Sequence, residues 1–283
     1  MIQVVECPRD AMQGIENFIP TKKKVDYINT LLKVGFDTLD FGSFVSPKVI
    51  PQMRDTADVL ARLNLDQNDT KLLSIVANIK GAKQAACFDE IQCLGYPFSV
   101  SEIFQKRNTN RSIEESLILV EKIQSLCESN KKELVVYLSM AFGNPYGEDW
   151  DPSIVAKYTE LLVDMGVKII ALSDTIGVSN KKTISPLFTT LITDFKNITF
   201  GAHLHTTPDT WKEKLLAAFS SGCIRFDTAI QGFGGCPMAK DQLTGNMPTE
   251  KLISFLQEKK ETIGLNSFAF ESAFNQARSI FIP

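Results

Sequence analysis

The stretch SIVAKYTELLVDMGVKIIALS, residues 153–173, contains one complete unit of the pattern that decides the fold. Its first half carries apolar residues three and four positions apart, which predicts an amphipathic helix from Ser153 to Met165. Gly166 follows, as is common where a helix ends. The run from Val167 to Ser173 is short and apolar, which is typical of a strand buried on both faces. The stretch therefore predicts a helix followed directly by a core strand.

The same alternation extends along the chain in both directions. Strands are predicted over residues 2–6, 38–44, 72–77, 91–96, 134–140, 167–173, 198–204 and 224–230. Helices are predicted between them, one of them opened by a capping box at Ser112–Glu115. Eight such units without a break in composition predict an α/β fold, a closed (β/α)8 TIM barrel. We expect one catalytic domain over residues 1–283, with an additional C-terminal helix from about Ser267 to Phe281.

A doubly wound open sheet is the alternative architecture. It requires a glycine-rich phosphate loop, G-x-G-x-x-G, after the first strand. Residues 7–14 read CPRDAMQG, which lacks that spacing.

Composition and charge exclude several classes of protein. The net charge of −3 and the pI of about 5.6 give no overall basic field for nucleic acid. No apolar run approaches the ~20 residues that span a bilayer. The six cysteines include no C-x-x-C pair and are typical of reduced thiols. We expect a cytoplasmic protein without nucleic-acid or membrane partners.

The only two histidines, His203 and His205, lie one residue apart at the end of the seventh predicted strand. Side chains alternate along a strand, so both imidazoles face the same side. Asp10 and Asn246 lie near the ends of the first and last strands and offer oxygen atoms. Two nitrogen and two oxygen ligands suit a divalent Mg²⁺ or Mn²⁺ ion. The alternative is a pair of histidines with ordinary hydrogen bonds.

Other polar residues also follow predicted strands, where the chemistry of such barrels collects. Arg9 is a fixed cation that could stabilise an oxyanion. Cys236 lies in a glycine-rich loop that could bring a proton donor to the site, although an ordinary loop cysteine is the alternative. Asp40 and Asp174 lie at the ends of the second and sixth strands. If the site catalyses a proton transfer, its general base could be either of these carboxylates, Asp10 or a histidine.

Eight segments of the chain together resemble the hydroxymethylglutaryl-CoA lyases. This family lies within the barrel metallolyases that carry an Arg-Asp pair after the first strand. The segments that carry the resemblance are PRDAMQG (8–14), GSFVSPKVIPQM (42–53), RNTNRSIEES (107–116), AFGNPYGE (141–148), SDTIGV (173–178), HLH (203–205), GFGGCP (232–237) and TGNMPTE (244–250). The chain departs from the family pattern at Asp40, at Met140 and Asn144, at Thr206-Thr207 after the second histidine, and in the loop from Cys236 to Asn246, which is one residue longer.

The resemblance implies a role for each matching residue. It implies four metal ligands, namely Asp10, His203, His205 and Asn246. It implies that Arg9 stabilises an enolate and that Cys236 is a catalytic thiol on a loop. It places Asp40 and Asp174 on two further active-site carboxylates. It also places Ser43 and Glu250 near the site.

The implied reaction is retro-Claisen cleavage of 3-hydroxy-3-methylglutaryl-CoA into acetyl-CoA and acetoacetate, a reaction of leucine degradation. An acyl-CoA substrate is therefore expected, and its phosphates are predicted to bind Lys106, Arg107 and Arg111. Whether the protein forms a homodimer is left open by the sequence. The alternatives are a related synthase that condenses an acyl-CoA with a 2-oxo acid, an aldol-type lyase on another substrate, and a non-catalytic barrel scaffold.

Overall fold

A computed structural model describes residues 1–66, 68–235 and 244–281. Within these residues, eight parallel strands follow one another around a barrel, and the last pairs with the first. The strands are β1 (Gln3–Glu6), β2 (Thr38–Ser43), β3 (Lys71–Ile75), β4 (Cys93–Ser99), β5 (Glu133–Ser139), β6 (Ile169–Asp174), β7 (Thr199–Thr206) and β8 (Arg225–Thr228). A short ninth strand, β9 (Gly245–Asn246), pairs antiparallel with the end of β7. The predicted (β/α)8 barrel is confirmed.

Helices surround the barrel in the part of the chain described above. They are α1 (Pro8–Gln13), α2 (Thr21–Leu32), α3 (Thr56–Leu60), α4 (Ile79–Ala86), α5 (Glu102–Thr109), α6 (Ile113–Ser129), α7 (Pro152–Asp164), α8 (Lys181–Asp194), α9 (Trp211–Ser220), α10 (Thr249–Glu258) and α11 (Ser267–Phe281). The capping box forms at the start of α6: Ser112 Oγ accepts from the Glu115 amide, and Glu115 Oε2 accepts from the Ser112 amide. The additional C-terminal helix is α11, which packs against α2. None of these helices combines the length and the apolar character that crossing a membrane requires.

The alternation of side chains along each strand divides the core into two layers. One set fills the interior of the barrel, as Leu73, Val135 and Ala171 do. The opposite set, which includes Leu72 and Val136, packs beneath the helices. Strands of this kind are apolar on both faces, which is why the sequence shows continuous apolar runs.

The structure adds α1, α5 and β9 to the predicted elements and extends β4 beyond its predicted end. The six residues of α1, which begin with a proline, are too few for a helical repeat to be recognised. The eight residues of α5 show only a weak apolar pattern, so the sequence predicts no helix there. The strand β4 runs to Ser99 rather than Tyr96, because Pro97 stays inside the strand opposite Tyr137 instead of ending it.

Candidate metal centre and active site

The two histidines of β7 meet Asp10 of α1 at the carboxyl end of the barrel. One potential ligand atom from each of the three residues lies within 4.8 Å of the others. Asp10 reaches this end because α1 starts directly after β1. The three residues could therefore hold one metal ion, as the sequence predicts.

The second nitrogen of each histidine is already engaged. His203 Nδ1 lies 3.2 Å from Asp227 Oδ2, and His205 Nδ1 lies 3.0 Å from the carbonyl oxygen of Thr175. Both rings therefore keep Nε2 for a metal ion. Such outer partners orient a ligating imidazole and fix its tautomer. The donor set and its supports thus fit a bound divalent ion.

The pKa values of the two histidines shift in opposite directions. Burial lowers the pKa of His203, but the hydrogen bond and the charge of Asp227 outweigh burial and raise it overall. Burial and the neighbouring His203 lower the pKa of His205 to about 4. His205 is therefore neutral near pH 7, which is the state that binds a metal ion.

Asn246 joins the three residues through β9. This short strand places Asn246 opposite His205. The Asn246 amide nitrogen donates to Asp10 Oδ2 at 2.7 Å and to the carbonyl oxygen of Phe233 at 2.8 Å. The structure therefore brings all four predicted ligands together, and direct coordination by Asn246 stays a prediction.

Arg9 lies beside Asp10 in a buried network. Its Nη2 is 2.5 Å from Asp40 Oδ2, and its Nη1 is 3.0 Å from Asp10 Oδ1 and 2.8 Å from Gln13 Oε1. Burial raises the pKa of Asp40 to about 6, although the Arg9 charge opposes the rise. The guanidinium is thus held in one orientation next to the candidate metal ligands.

Asp174 lies behind the metal centre. Its carboxylate accepts from Ser179 Oγ at 2.5 Å and forms a buried ion pair with Lys214 Nζ at 2.6 Å. The same ammonium donates to the carbonyl oxygens of Gly177 and His205 at 2.9 and 2.7 Å. Asp174 therefore contacts the backbone of the histidine strand through Lys214.

A cavity of about 230 Å³ opens in front of these groups. Its floor carries Arg9, Asp10, His203 and His205. Its upper wall is largely apolar and includes Val45, Val49, Ile50 and Pro97. A larger cavity of about 1130 Å³ lies at the opposite, amino-terminal end of the strands. We place the site at the smaller cavity, because the three candidate metal-binding side chains found among the described residues line it.

The three cations predicted to bind CoA lie in α5 and just after it, next to Asn108 and Thr109, which line this cavity. Lys106 pairs with Glu102 at 2.9 Å on the surface. The Arg107 guanidinium stacks over the Tyr146 ring at 4.9 Å. Arg111 Nη1 donates to the carbonyl oxygens of Ala77 and Thr109, so part of its guanidinium holds the loop itself.

Cys236 lies outside the described residues. The chain just before it is described, and Gly235 lines the cavity. Gly234 has a φ of +86°, and a Cβ there would lie 2.8 Å from the Asp10 carbonyl oxygen. Glycine is therefore required where this segment passes Asp10.

Two buried residues that support the site went unrecognised in the sequence. Asp227 lies in β8, whose four buried residues read RFDT. It faces His203, and Arg225 Nη1 donates to its Oδ1 at 2.7 Å. A carboxylate two residues after an arginine within a predicted strand is the signal that could have identified it. Lys214 is 2% exposed, and its place on a helix beside the exposed Lys212 gives no such signal.

Comparison with known proteins agrees with this site. A family model described as HMGL-like matches residues 2–276. The mitochondrial hydroxymethylglutaryl-CoA lyase of Macaca fascicularis is 32% identical over 94% of this chain and 81% of its own length. A hydroxymethylglutaryl-CoA lyase of Bacillus subtilis (strain 168) is 30% identical over 89% of this chain and 83% of its own length.

Solved structures agree as well. The HMG-CoA lyase of Brucella melitensis superposes with a TM-score of 0.92 at 27% identity, covering 100% of this chain and 99% of its own. A HMG-CoA lyase of Acinetobacter baumannii, in complex with coenzyme A and 3-methylmalate, gives 0.90 at 27% identity over 99% and 91% of the two chains. The resemblance seen in the motifs is confirmed, and the chain belongs to the HMGL-like family.

Proposed function

We propose that this protein is a divalent-metal-dependent lyase that cleaves 3-hydroxy-3-methylglutaryl-CoA into acetyl-CoA and acetoacetate. The observation that carries the proposal is the cluster of Asp10, His203 and His205 beside Arg9 on the cavity floor. The relatives named as hydroxymethylglutaryl-CoA lyases supply the substrate and the reaction.

In this reaction the hydroxyl proton at C3 leaves, the bond between C2 and C3 breaks, and a thioester enolate forms and takes a proton at C2. A Mg²⁺ or Mn²⁺ ion held by Asp10, His203, His205 and Asn246 would orient the substrate oxygens and lower the pKa of the hydroxyl. Arg9 stabilises the enolate oxygen, since its charge is fixed next to the ligands. Cys236 delivers the proton to carbon, a role that rests on the GFGGCP motif.

The two further carboxylates have distinct places in the proposal. Asp40 keeps Arg9 oriented, because its carboxylate accepts from both Nε and Nη2 of the guanidinium. Asp174 acts through Lys214 on the backbone of His205 and so maintains the position of that ligand.

The CoA portion of the substrate is proposed to leave the cavity past the end of α5. Asn108 and Thr109 line the cavity directly, which brings Lys106, Arg107 and Arg111 within reach of a phosphate group. The Acinetobacter baumannii relative was solved with coenzyme A, which supports a CoA ester as the ligand. We also propose a cytoplasmic location, although the relatives are named both mitochondrial and cytoplasmic.

The direct test is an assay with 3-hydroxy-3-methylglutaryl-CoA on protein stripped by a chelator. Acetoacetate should form after addition of Mg²⁺ or Mn²⁺ and should not form without it. Absence of cleavage with both ions would refute the proposal. A parallel assay supplies acetyl-CoA and a 2-oxo acid with the same metal ions. Condensation of these two substrates would favour the synthase instead.

The CoA path is tested separately by charge reversal. Lys106→Glu with Arg107→Glu should raise the KM for the thioester and leave kcat nearly unchanged. The matched control is Lys22→Glu with Lys23→Glu, two exposed lysines on α2. An equal KM in both double variants would place the phosphates elsewhere.

A further inference from the structure

Two segments of chain run side by side, and the second of them contains Asn246. The first stem comprises residues 229–233 and the second stem residues 245–249. Backbone hydrogen bonds link Ala229 N to Met247 O at 3.0 Å and Thr249 N to Ala229 O at 3.2 Å. The two stems precede and follow the segment that carries Cys236.

Glu6, the last residue of β1, contacts both stems with one carboxyl group. Its Oε1 accepts from the Ile230 amide at 2.9 Å, and its Oε2 is hydrogen-bonded to Thr249 Oγ1 at 2.5 Å. The residue is 1% exposed and does not line the catalytic cavity. Glu6 therefore connects the first strand of the barrel to both stems.

The second stem contains Asn246, three residues before Thr249. Its amide must meet Asp10 at 2.7 Å while its backbone pairs with His205. A shift of the second stem along β7 would move the amide away from the metal ligands. The contact between Glu6 and Thr249 opposes such a shift, because it fixes the end of the stem to β1.

We propose that Glu6 is a positioning residue, which holds the two stems in register and thereby places Asn246 at the metal centre. The inference rests on the proposed function in one respect, that Asn246 belongs to the metal site. Neither the motifs nor the proposed reaction assigns Glu6 a role.

The chemistry of the contact allows a conservative replacement. Burial raises the pKa of Glu6 to about 8, so the carboxyl is mostly protonated near pH 7. A protonated carboxyl has one carbonyl oxygen to accept from Ile230 and one hydroxyl to share with Thr249. A glutamine side chain offers the same acceptor and an N–H donor in its place, whereas alanine offers neither.

The test compares Glu6→Ala, Glu6→Gln and Thr249→Val in the full chain. Mn²⁺ affinity is measured by titration calorimetry, and amide hydrogen exchange reports on both stems. Glu6→Ala and Thr249→Val should each weaken Mn²⁺ binding about ten-fold, as loss of an outer partner does, and should speed exchange in the stems. Glu6→Gln should remain close to wild type in both measurements.

The matched control is Asp55→Asn, which breaks the buried ion pair between Asp55 and Lys24, remote from the stems. It should lower stability and keep the Mn²⁺ affinity of wild type. Wild-type affinity in Thr249→Val, or an equal loss in Asp55→Asn, would overturn the inference. If Glu6→Ala does not fold, Thr249→Val and Glu6→Gln decide the question. A wild type that binds no Mn²⁺ would count against the proposed metal site, and hydrogen exchange would then decide the role of Glu6 alone.

Discussion

Replacing Glu6 with glutamine should make the protein harder to unfold near pH 7 and leave its stability near pH 4.5 almost unchanged. Burial is the main cause of the raised pKa of Glu6, from 4.5 to about 8, and the nearby Glu250 charge adds to it. Above pH 4.5 the unfolded chain releases this proton, whereas the folded chain retains it until about pH 8. The stability that Glu6 contributes is therefore complete below pH 4.5 and declines as the pH rises to about 8.

The size of the effect follows from the two pKa values. Each pH unit between them is worth about 1.4 kcal/mol. From pH 4.5 to pH 7 the contribution of Glu6 to the free energy of unfolding should thus fall by about 3 kcal/mol. Glutamine cannot titrate, so Glu6→Gln should escape this decline. A gain of that order is large against a total stability of about 5–15 kcal/mol.

The assay is urea unfolding followed by far-UV circular dichroism, with wild type and variant measured between about pH 5 and pH 8 in the presence of a chelator. The difference in the free energy of unfolding between the two proteins should grow with pH. The control is Glu121→Gln on α6, which removes an exposed carboxylate and should give a small difference at every pH. A difference between Glu6→Gln and wild type that does not change with pH would refute the reasoning.

Further predictions concern the metal centre and its supports. Arg9→Lys should lower kcat at least ~10²-fold with little change in KM, because the enolate charge exists only near the transition state; steady-state kinetics that show a raised KM alone would contradict it. Asp227→Asn should weaken Mn²⁺ binding by about 10- to 100-fold through the His203 ring, and calorimetry that finds wild-type affinity would exclude this support. His203→Ala should lose Mn²⁺ binding while its circular dichroism spectrum stays that of wild type, and retained binding would argue against the centre. Lys214→Met should cost about 3–5 kcal/mol in urea unfolding, since it leaves the Asp174 carboxylate buried without its partner; a loss below about 1 kcal/mol would mean that the pair is weakly coupled to the fold.

The barrel could be predicted because its signals are local. A strand of the core shows an apolar run and a helix shows a repeat of three and four residues, so most elements were recognised within a few residues of their ends. The helix α11 is an example, with the bounds Ser267–Phe281 in both the prediction and the structure. The helix α1 was missed because six residues cannot display a helical repeat.

The candidate site was predictable only as far as single strands allow. The spacing of His203 and His205 fixes their common face, whatever the rest of the chain does. The contact between His203 and Asp227 depends on the register of β7 against β8, where Gly201 lies opposite Arg225. That register arises from the packing of the whole barrel, and no local pattern contains it. The contacts of Lys214 could not be predicted either, because they too depend on the packing of the whole barrel.

The hydrogen bond between Asn246 and Asp10 joins residues 236 positions apart, and that between Glu6 and Thr249 spans 243 positions. During synthesis on the ribosome, the chain must therefore emerge as far as Thr249 before the metal site can be completed. Contacts this distant in sequence form late and slowly, because the loop between them must first close. A nascent chain that stops before Asn246 would contain all eight barrel strands, both histidines and Asp10, but not the contacts of Asn246 with Asp10 and of Thr249 with Glu6. Acquisition of the metal ion should for that reason mark a late step of folding, and a pulse of Mn²⁺ would report chains in which the second stem has docked.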